Sequence, residues 1–298
     1  MKTRTAVPAR RPPGTPRRPV VSLVLAIACA AAAATPALAH QFWLSPSRYD
    51  PSRGQVVEVG AVAGTGFRGE RKPWSPPNAR RLVARAAKTI DVAGAATIGQ
   101  DAWIRFAPSD AGGALLAYES AFTPIALPAA AFDAYLADEG LDAPLAARRH
   151  APPGVPGRER YRRCAKLWLA GGDAARATAP LGLPLEIVPL ALPGAAASLR
   201  VRVLWNGRPL PGALLKTWRA ELAPGGAPAE VATRDSIAVA WQGRTGADGE
   251  VTLPCARPGE WLASVTTMVP SADRAEADWE STWASLTFLR PDGPGRSR

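Results

Sequence analysis

Histidine is scarce in this chain of 298 residues, and one of its two histidines, His40, directly follows the tripeptide Ala37-Leu38-Ala39. A small-residue sequence of this kind is typical of a signal-peptide cleavage site. If cleavage follows Ala39, His40 carries a free α-amine beside its imidazole, and the two nitrogens can chelate one metal ion. Such nitrogen donors suit Cu(II) or Ni(II). In the alternative interpretation, His40 only marks the start of the first strand.

A chelate of two nitrogens needs further ligands, and three side chains near the C-terminus are candidates. Met268 offers a soft thioether, although a methionine more often packs in a core. Asp278 and Glu280 are two residues apart, so a strand would present both carboxylates on one face; both could equally lie at a solvated strand edge. The second histidine, His150, follows two arginines. We interpret it as a solvated loop residue, because positive neighbours disfavour cation binding.

The same inventory gives little support for catalysis. Two histidines without a nearby acid do not fit a Ser-His-Asp hydrolase. No His-x-x-x-His pair exists, whereas a catalytic zinc site normally needs three protein ligands. We therefore predict a protein that is not an enzyme and binds no organic cofactor, with a divalent transition metal (nickel, cobalt or copper) as the one candidate group.

Residues 1–39 have the composition of an export signal. Six basic and no acidic residues precede an apolar run at 20–34 (VVSLVLAIACAAAAA), which is shorter than the roughly 20 residues of a membrane span. We predict a periplasmic or secreted protein without a membrane span after cleavage. Two other interpretations stay open, a twin-arginine signal at Arg17-Arg18 and a lipoprotein box ending at Cys29. Lipidation of Cys29 would leave His40 inside the chain.

The high net charge of +11 belongs mostly to this leader. Six of the 36 basic residues lie in it, which leaves 30 basic against 25 acidic residues and a net charge of +5. Since no dense block of Lys and Arg remains, we predict no nucleic-acid partner. Cys164 and Cys255 also remain after cleavage. An exported protein can form a disulfide, but two isolated thiols are an equally simple interpretation.

The pattern of the mature chain predicts a mainly β fold, with two antiparallel β-sandwich-like domains and a short helical insertion between them. Residues 199–204 (LRVRVL) alternate as a strand does, and Asn-Gly and Asp-Gly pairs mark tight turns at 206–207 and 248–249. The predicted segments are a signal peptide (1–39), an N-terminal β domain (40–127), a helical insertion with a linker (128–182), a C-terminal sandwich (183–290) and a disordered tail (291–298).

Within the insertion, residues 128–149 predict two short helices separated at Gly140. Residues 158–170 (RERYRRCAKLWLA) predict a third, amphipathic helix, because apolar residues recur at helical spacing. Residues 68–77 (RGERKPWSPP) are too rich in proline and charge to predict a helix or a strand. The ten tryptophans are scattered, and we expect most of them to fill cores and inter-domain contacts.

Two resemblances add to this interpretation. The pattern VxVLxNGxPLxGA at 201–213, followed by TGADGEV at 245–251, resembles prealbumin-like or carboxypeptidase-regulatory-like sandwiches, which implies a fold only. Over nearly the whole mature chain, the sequence resembles the exported bacterial family called domain of unknown function 4198. The motifs that carry this resemblance are HQFWL (40–44), AYLADEGL (134–141), RERY (158–161), PLGLPLEIVP (180–189) and DWESTWASLTF (278–288).

This resemblance implies an association with nickel and cobalt uptake. Members commonly carry a His-Met pair before the DWES motif, whereas this chain has Thr267 before Met268. We predict a periplasmic metal-binding accessory protein, with His40 as the primary ligand and Met268, Asp278 and Glu280 as further candidates, serving a membrane transporter component. The alternative is a cell-envelope interaction module that has lost metal binding and contacts a membrane protein.

Overall fold

The computed structural model describes residues 41–223, 226–233 and 235–292. All of these lie in one compact unit, residues 37–298. The predictions for His40, for the leader with Cys29 and Arg17-Arg18, and for tail residues 293–298 concern residues outside the described ones.

A nine-stranded sheet forms the centre of the fold, and we call it the central sheet. Eight of its strands lie in the order β14-β13-β16-β17-β9-β7-β4-β5, and β8 pairs with the first part of β9. All its neighbours are antiparallel except β17 and β9. The strands are β4 (Ala79–Arg85), β5 (Thr89–Asp91), β7 (Ala114–Ser120), β8 (Thr123–Leu127), β9 (Gly157–Leu169), β13 (Leu214–Ala220), β14 (Trp241–Arg244), β16 (Gly259–Pro270) and β17 (Trp279–Arg290).

Two smaller antiparallel sheets accompany it. In the N-terminal sheet, β2 pairs with β1 on one side and with β3 and β6 on the other. In the C-terminal sheet, β11 pairs with β10, β12 and β15. Their strands are β1 (Gln41–Pro46), β2 (Val57–Thr65), β3 (Arg68–Lys72), β6 (Ile104–Phe106), β10 (Leu185–Pro189), β11 (Ser198–Trp205), β12 (Arg208–Pro209) and β15 (Glu250–Pro254).

The two faces of β9 show how the sheets pack. Cys164 and Trp168 belong to a core that includes residues of β10, β11 and β15. Leu167 and Leu169 point to the other face, into a core that includes residues of β1, β2 and β6. Since successive side chains of a strand point to opposite faces, the small sheets cover opposite faces of the central sheet. The predicted class, mainly β with antiparallel sheets and few helices, is confirmed.

The predicted helix at residues 158–170 is wrong, because this segment is strand β9. Its apolar residues fit a helical spacing only because Cys164 to Leu169 are all buried, on both faces of the strand. A strand covered on both faces carries a continuous apolar run, and periodicity alone does not separate such a run from a helix. The consequence for the fold is large, since β9 joins strands from 79–127 to strands from 214–290 in one sheet.

The two helices predicted within 128–149 are confirmed as α1 (Ala129–Asp138) and α2 (Asp142–Arg148). Gly140 lies between them with φ +64°, a conformation that glycine adopts without steric cost. A third short helix is α3 (Ala174–Thr178). No helix among the described residues is long and apolar enough to cross a membrane.

Three further sequence predictions, for a turn, for residues 68–77 and for the tryptophans, can be compared with the structure. The predicted Asn-Gly turn is confirmed, with φ values of 49° and 77° at Asn206 and Gly207 between β11 and β12. The absence of regular structure predicted for 68–77 is wrong at both ends, since residues 68–72 form β3 and residues 76–77 begin a 3₁₀ helix (Pro76–Asn78). Six of the ten tryptophans are buried, as expected: Trp43, Trp74, Trp103, Trp168, Trp218 and Trp261.

Candidate ligand pocket and predicted metal ligands

A cavity of about 460 Å³ opens beside the first strand of the described chain, and we call it the aromatic pocket. It is bounded by β1, by the loop after β3, and by parts of β7, β8 and β9. The lining residues are Phe42, Ala63, Lys72, Pro73, Trp74, Ser75, Asn78, Trp103, Tyr118, Ser120, Thr123, Tyr161 and Arg163.

Four rings form a contiguous cluster in the wall of the pocket. Trp103 lies at its centre, with its ring centroid 5.0 Å from that of Trp74 and 4.9 Å from that of Tyr118. Phe42 completes the cluster, 5.4 Å from Tyr118. Trp74 and Trp103 are each 3 % exposed, so the rings are held in place by packing. Only Phe42 among the four is half-buried, so it contributes most of the cluster's accessible surface.

Hydrogen bonds fix two of these rings. The Trp103 Nε1 donates to the Lys72 carbonyl at 2.6 Å, and the Tyr118 hydroxyl donates to the Asn78 carbonyl at 3.0 Å. Burial raises the pKa of Tyr118 to about 12, although the positive charge of Arg163 lowers it in part. Tyr118 therefore stays neutral at physiological pH. The first contact joins the wall to the end of β3 and the second joins it to the segment that follows, so together they hold both ends of the 73–78 segment that bounds the pocket.

Arg163 places a positive charge in the pocket, and its neighbours restrict the position of its side chain. Its guanidinium carbon lies 5.2 Å from the ring centroid of Phe42 and 5.0 Å from that of Tyr161. Its Nη1 also donates to the Gln41 carbonyl at 3.5 Å, and its backbone N donates to the Ser120 Oγ at 2.9 Å. Burial lowers the pKa of the guanidinium, which remains charged at neutral pH as arginine does in proteins.

The other charged group of the lining is Lys72, at the edge of the pocket. Its Nζ lies 3.0 Å from Glu70 Oε2, in an ion pair whose carboxylate is largely exposed. The described lining contains two cations and no carboxylate, histidine or cysteine.

A buried carboxyl group lies on the same strand as Arg163 and Tyr161. Glu159 Oε1 accepts hydrogen bonds from Ser281 Oγ and, at 3.4 Å, from the hydroxyl of Tyr135 on α1. Burial raises the pKa of Glu159 to about 7, despite the opposing effects of Ser281, Tyr135 and Arg163. This carboxyl group links α1 to β9, the strand that also contributes Tyr161 and Arg163 to the pocket.

The structure places two of the predicted metal ligands in ion pairs with arginines of β9. Asp278 accepts from Arg158 through both oxygens, at 2.9 and 3.2 Å, and these hydrogen bonds hold its pKa below the usual value. Glu280 Oε1 accepts from Arg160 at 2.7 Å and from the backbone N of Ala272 at 2.9 Å. A metal ion at either carboxylate would have to displace an arginine.

Burial alone would raise the pKa of Glu280, but hydrogen bonds from Ala272, Arg160 and Ser271 together hold it below its usual value. The carboxylate is thus stabilised in its charged form by groups of the protein itself.

Met268, Thr267 and His150 lie apart from the described pocket lining. Met268 is 7 % exposed and packs with residues of α1, including Phe132 and Tyr135. Thr267 is half-buried in β16, and His150 is exposed after α2. His40 lies outside the described residues. Within 41–223, 226–233 and 235–292, no group of three or more His, Cys, Asp or Glu side chains is arranged to hold a metal ion.

Cys164 and Cys255 are free and buried, which agrees with their interpretation as two isolated thiols. Burial raises the pKa of Cys164 to about 12 and that of Cys255 to about 11. Both groups therefore remain protonated thiols.

Sequence reasoning missed the aromatic pocket. Its rings come from five separate segments, and their convergence depends on the pairing of strands far apart in the chain. The one available signal was the number of tryptophans, which we interpreted as core residues. Trp74 and Trp103 are indeed buried, and they also line the pocket.

Comparisons with known proteins establish the family. No curated protein matches the chain. Among solved structures, the D0-D1 domain of Intimin is similar with 10% sequence identity over 83% of this chain and 97% of that chain, at a TM-score of 0.18. The family model described as Domain of unknown function (DUF4198) matches residues 37–269, and the chain belongs to that family.

Proposed function

We propose that this protein is an exported binding protein whose recognition site is the aromatic pocket. One observation carries the proposal: five aromatic side chains from separate segments converge on one cavity of about 460 Å³. Small-molecule sites have volumes of about 300–1,000 Å³, with mostly apolar walls and a few polar groups. The volume of the aromatic pocket lies in this range, and aromatic and polar side chains together form its wall.

The polar groups of the lining also support binding. Asn78, Ser120 and Thr123 lie among the aromatic side chains and can orient a bound molecule. The leader at residues 1–39 supports export to the periplasm or beyond.

A pocket-filling variant tests this proposal. Thr123 is an exposed strand residue that lines the pocket, whereas Thr252 is an exposed strand residue of β15 outside it. We expect Thr123→Trp to abolish the binding of small molecules found in a ligand-observed NMR screen, and Thr252→Trp to leave it unchanged. Equal binding by both variants, or no hit with the wild type, would contradict the proposal.

A metal ion is a second candidate ligand, and one observation favours it. Phe42 lines the pocket, and His40 precedes it by two residues in the sequence. A mature protein that starts at His40 would therefore have its amine and imidazole only two residues before a pocket residue. In this version the protein binds nickel, cobalt or copper and serves a membrane transporter component.

Native mass spectrometry of protein purified from the periplasm without chelators tests the metal role. We expect a mass that starts at His40 and retains one Ni, Co or Cu ion, and loss of that ion in His40→Ala. Asp278→Asn and Glu280→Gln should retain it, since both carboxylates are paired with arginines. A protein that starts at His40 and binds none of these ions would instead support the envelope interaction module. Lipidation at Cys29 would eliminate the free amine.

A further inference from the structure

We propose that α1 and α2 form a hinged lid on the central sheet, and that ionisation of the buried Glu159 carboxyl group beneath it opens the lid. The lid comprises residues 128–156, which contain both helices and the loop that follows them. This inference goes beyond the proposed binding function and does not rest on the aromatic pocket. Three features carry it: the connection of the lid to the sheet, its separate core, and the chemistry of its contact with Glu159.

The two ends of the lid return to the same point of the central sheet. Strand β8 ends at Leu127 and β9 begins at Gly157, and these two residues pair with each other. The chain enters the lid through Pro128 and leaves it through Pro156, after an exposed loop that includes residues 152–154 (PPG). Because the β8–β9 pair closes the sheet at this point, the lid can move away without breaking a strand pair. Such an insertion is suited to local opening.

The apolar contacts of the lid form a small core that is separate from the cores between the three sheets. Its members from the lid pack with Leu127 and Met268; they are Phe132, Tyr135, Leu136 and Leu141. The ring of Tyr135 is stacked on that of Trp283 in β17, with centroids 5.5 Å apart. Opening of the lid therefore costs the contacts of this one cluster and leaves the main cores intact.

Glu159 is the carboxyl group of β9 that contacts the lid. Its side chain is buried, and its Oε1 accepts from the Tyr135 hydroxyl of α1 at 3.4 Å and from Ser281 Oγ of β17. Both donors are neutral, since burial raises the pKa of Tyr135 above its usual value. A buried carboxylate with neutral donors is costly, so the closed lid favours the protonated form. Burial accordingly raises the pKa of Glu159 to about 7.

The charged groups around Glu159 do not offset this cost. On β9, the positive charge of Arg163 lowers the pKa of Glu159, but by less than burial raises it. On α1, Glu139 is paired with Lys216 of β13 and Thr266 of β16, at 2.9 Å each, and burial raises its pKa as well. The neighbours from β8 and β17 carry no charge: Ile125, Trp279, Ser281 and Trp283. Ionisation of either carboxyl group therefore favours opening.

The size of the effect follows from the two states of the lid. In the open lid Glu159 meets water, and its pKa returns to the ordinary value of 4.5, whereas the closed lid holds it at about 7. The population of the open lid should therefore rise with pH between these two values and level off above pH 7. The total rise due to Glu159 is on the order of 100-fold.

Oxidation of Met268 by hydrogen peroxide, followed by mass spectrometry, measures the open population. Met268 is buried under the lid, so its thioether gains an oxygen atom only when the lid opens. Relative to free N-acetylmethionine, we expect wild-type Met268 to be oxidised faster as the pH rises. The ratio of the wild-type rate to that of Glu159→Gln should increase on the order of 100-fold between about pH 4.5 and pH 8. Glu58→Gln removes an exposed carboxylate of β2 and should leave the wild-type profile unchanged.

Cys164 and Cys255 separate lid opening from global unfolding, because both lie in the core on the other face of the central sheet. At pH 8 we expect a thiol reagent to leave them unlabelled while Met268 is oxidised. Labelling of both thiols as fast as Met268 is oxidised would overturn the lid, and a rate ratio independent of pH would overturn the role of Glu159. If Glu159→Gln does not fold, Tyr135→Phe decides: loss of a hydroxyl that lowers the pKa of Glu159 should move the plateau to higher pH. An unshifted profile would contradict the proposal.

Discussion

Replacing Glu159 by glutamine should remove a pH dependence of stability that a single buried carboxyl group creates. Glu159 is 3 % exposed and accepts hydrogen bonds from Ser281 and Tyr135. Burial raises its pKa from 4.5 to about 7, with the two hydrogen bonds and Arg163 opposing the shift. The neutral carboxyl group is therefore the form that the folded protein favours.

The direction and size of the effect follow from this shift. Between about pH 4.5 and pH 7 the folded protein holds a proton that the unfolded chain has released, so stability falls as the pH rises through this window. One pKa unit corresponds to about 1.4 kcal/mol. The contribution of Glu159 to the free energy of unfolding should thus be lower at pH 8 than at pH 4 by roughly 3 kcal/mol.

Urea unfolding of the wild type and Glu159→Gln across this pH range measures the effect. Glutamine keeps a carbonyl oxygen that can accept from Ser281 and Tyr135 but carries no charge. Relative to the wild type, we expect the free energy of unfolding of the variant to rise by roughly 3 kcal/mol between pH 4 and pH 8. Glu58→Gln removes an exposed carboxylate of β2 and controls for net charge. Parallel pH profiles for wild type and Glu159→Gln would refute the reasoning.

Three further predictions concern the interior. Lys166→Met should lower the free energy of unfolding by about 3–5 kcal/mol, because it leaves the buried Glu186 without its ion-pair partner; a loss below about 1 kcal/mol in urea unfolding would contradict this. Gly157→Ala should cost about 1–3 kcal/mol in thermal unfolding, because its methyl carbon would lie 2.1 Å from a buried phenyl ring; an unchanged melting temperature would count against the packing. Cys164 and Cys255 should react with a thiol reagent only after unfolding, and rapid labelling of both in the native protein would show that the thiols are accessible.

The parts of the fold that the sequence predicted are those fixed by local chemistry. Gly140 with its positive φ separates α1 from α2, and Asn206-Gly207 forms the turn before β12. In both cases a few neighbouring residues determine the backbone conformation. The backbone conformation at these positions can therefore be predicted without knowledge of distant partners.

Strand β9 could not be predicted in the same way. Its apolar run is explained by two sheets that cover its opposite faces, and neither sheet is visible from residues 158–170 alone. The error also concealed the partners of two candidate ligands. Because β9 is parallel to β17, Arg158 and Arg160 lie beside Asp278 and Glu280, and the carboxylates form ion pairs with these arginines. The aromatic pocket depends on the same long-range pairing.

The most direct test of the pocket is a crystal structure of the mature protein bound to a small molecule found in the ligand-observed NMR screen. The proposed function predicts this molecule inside the aromatic pocket, in contact with Phe42 and Thr123. The molecule bound elsewhere, or an empty pocket at a concentration that saturates binding in solution, would contradict it.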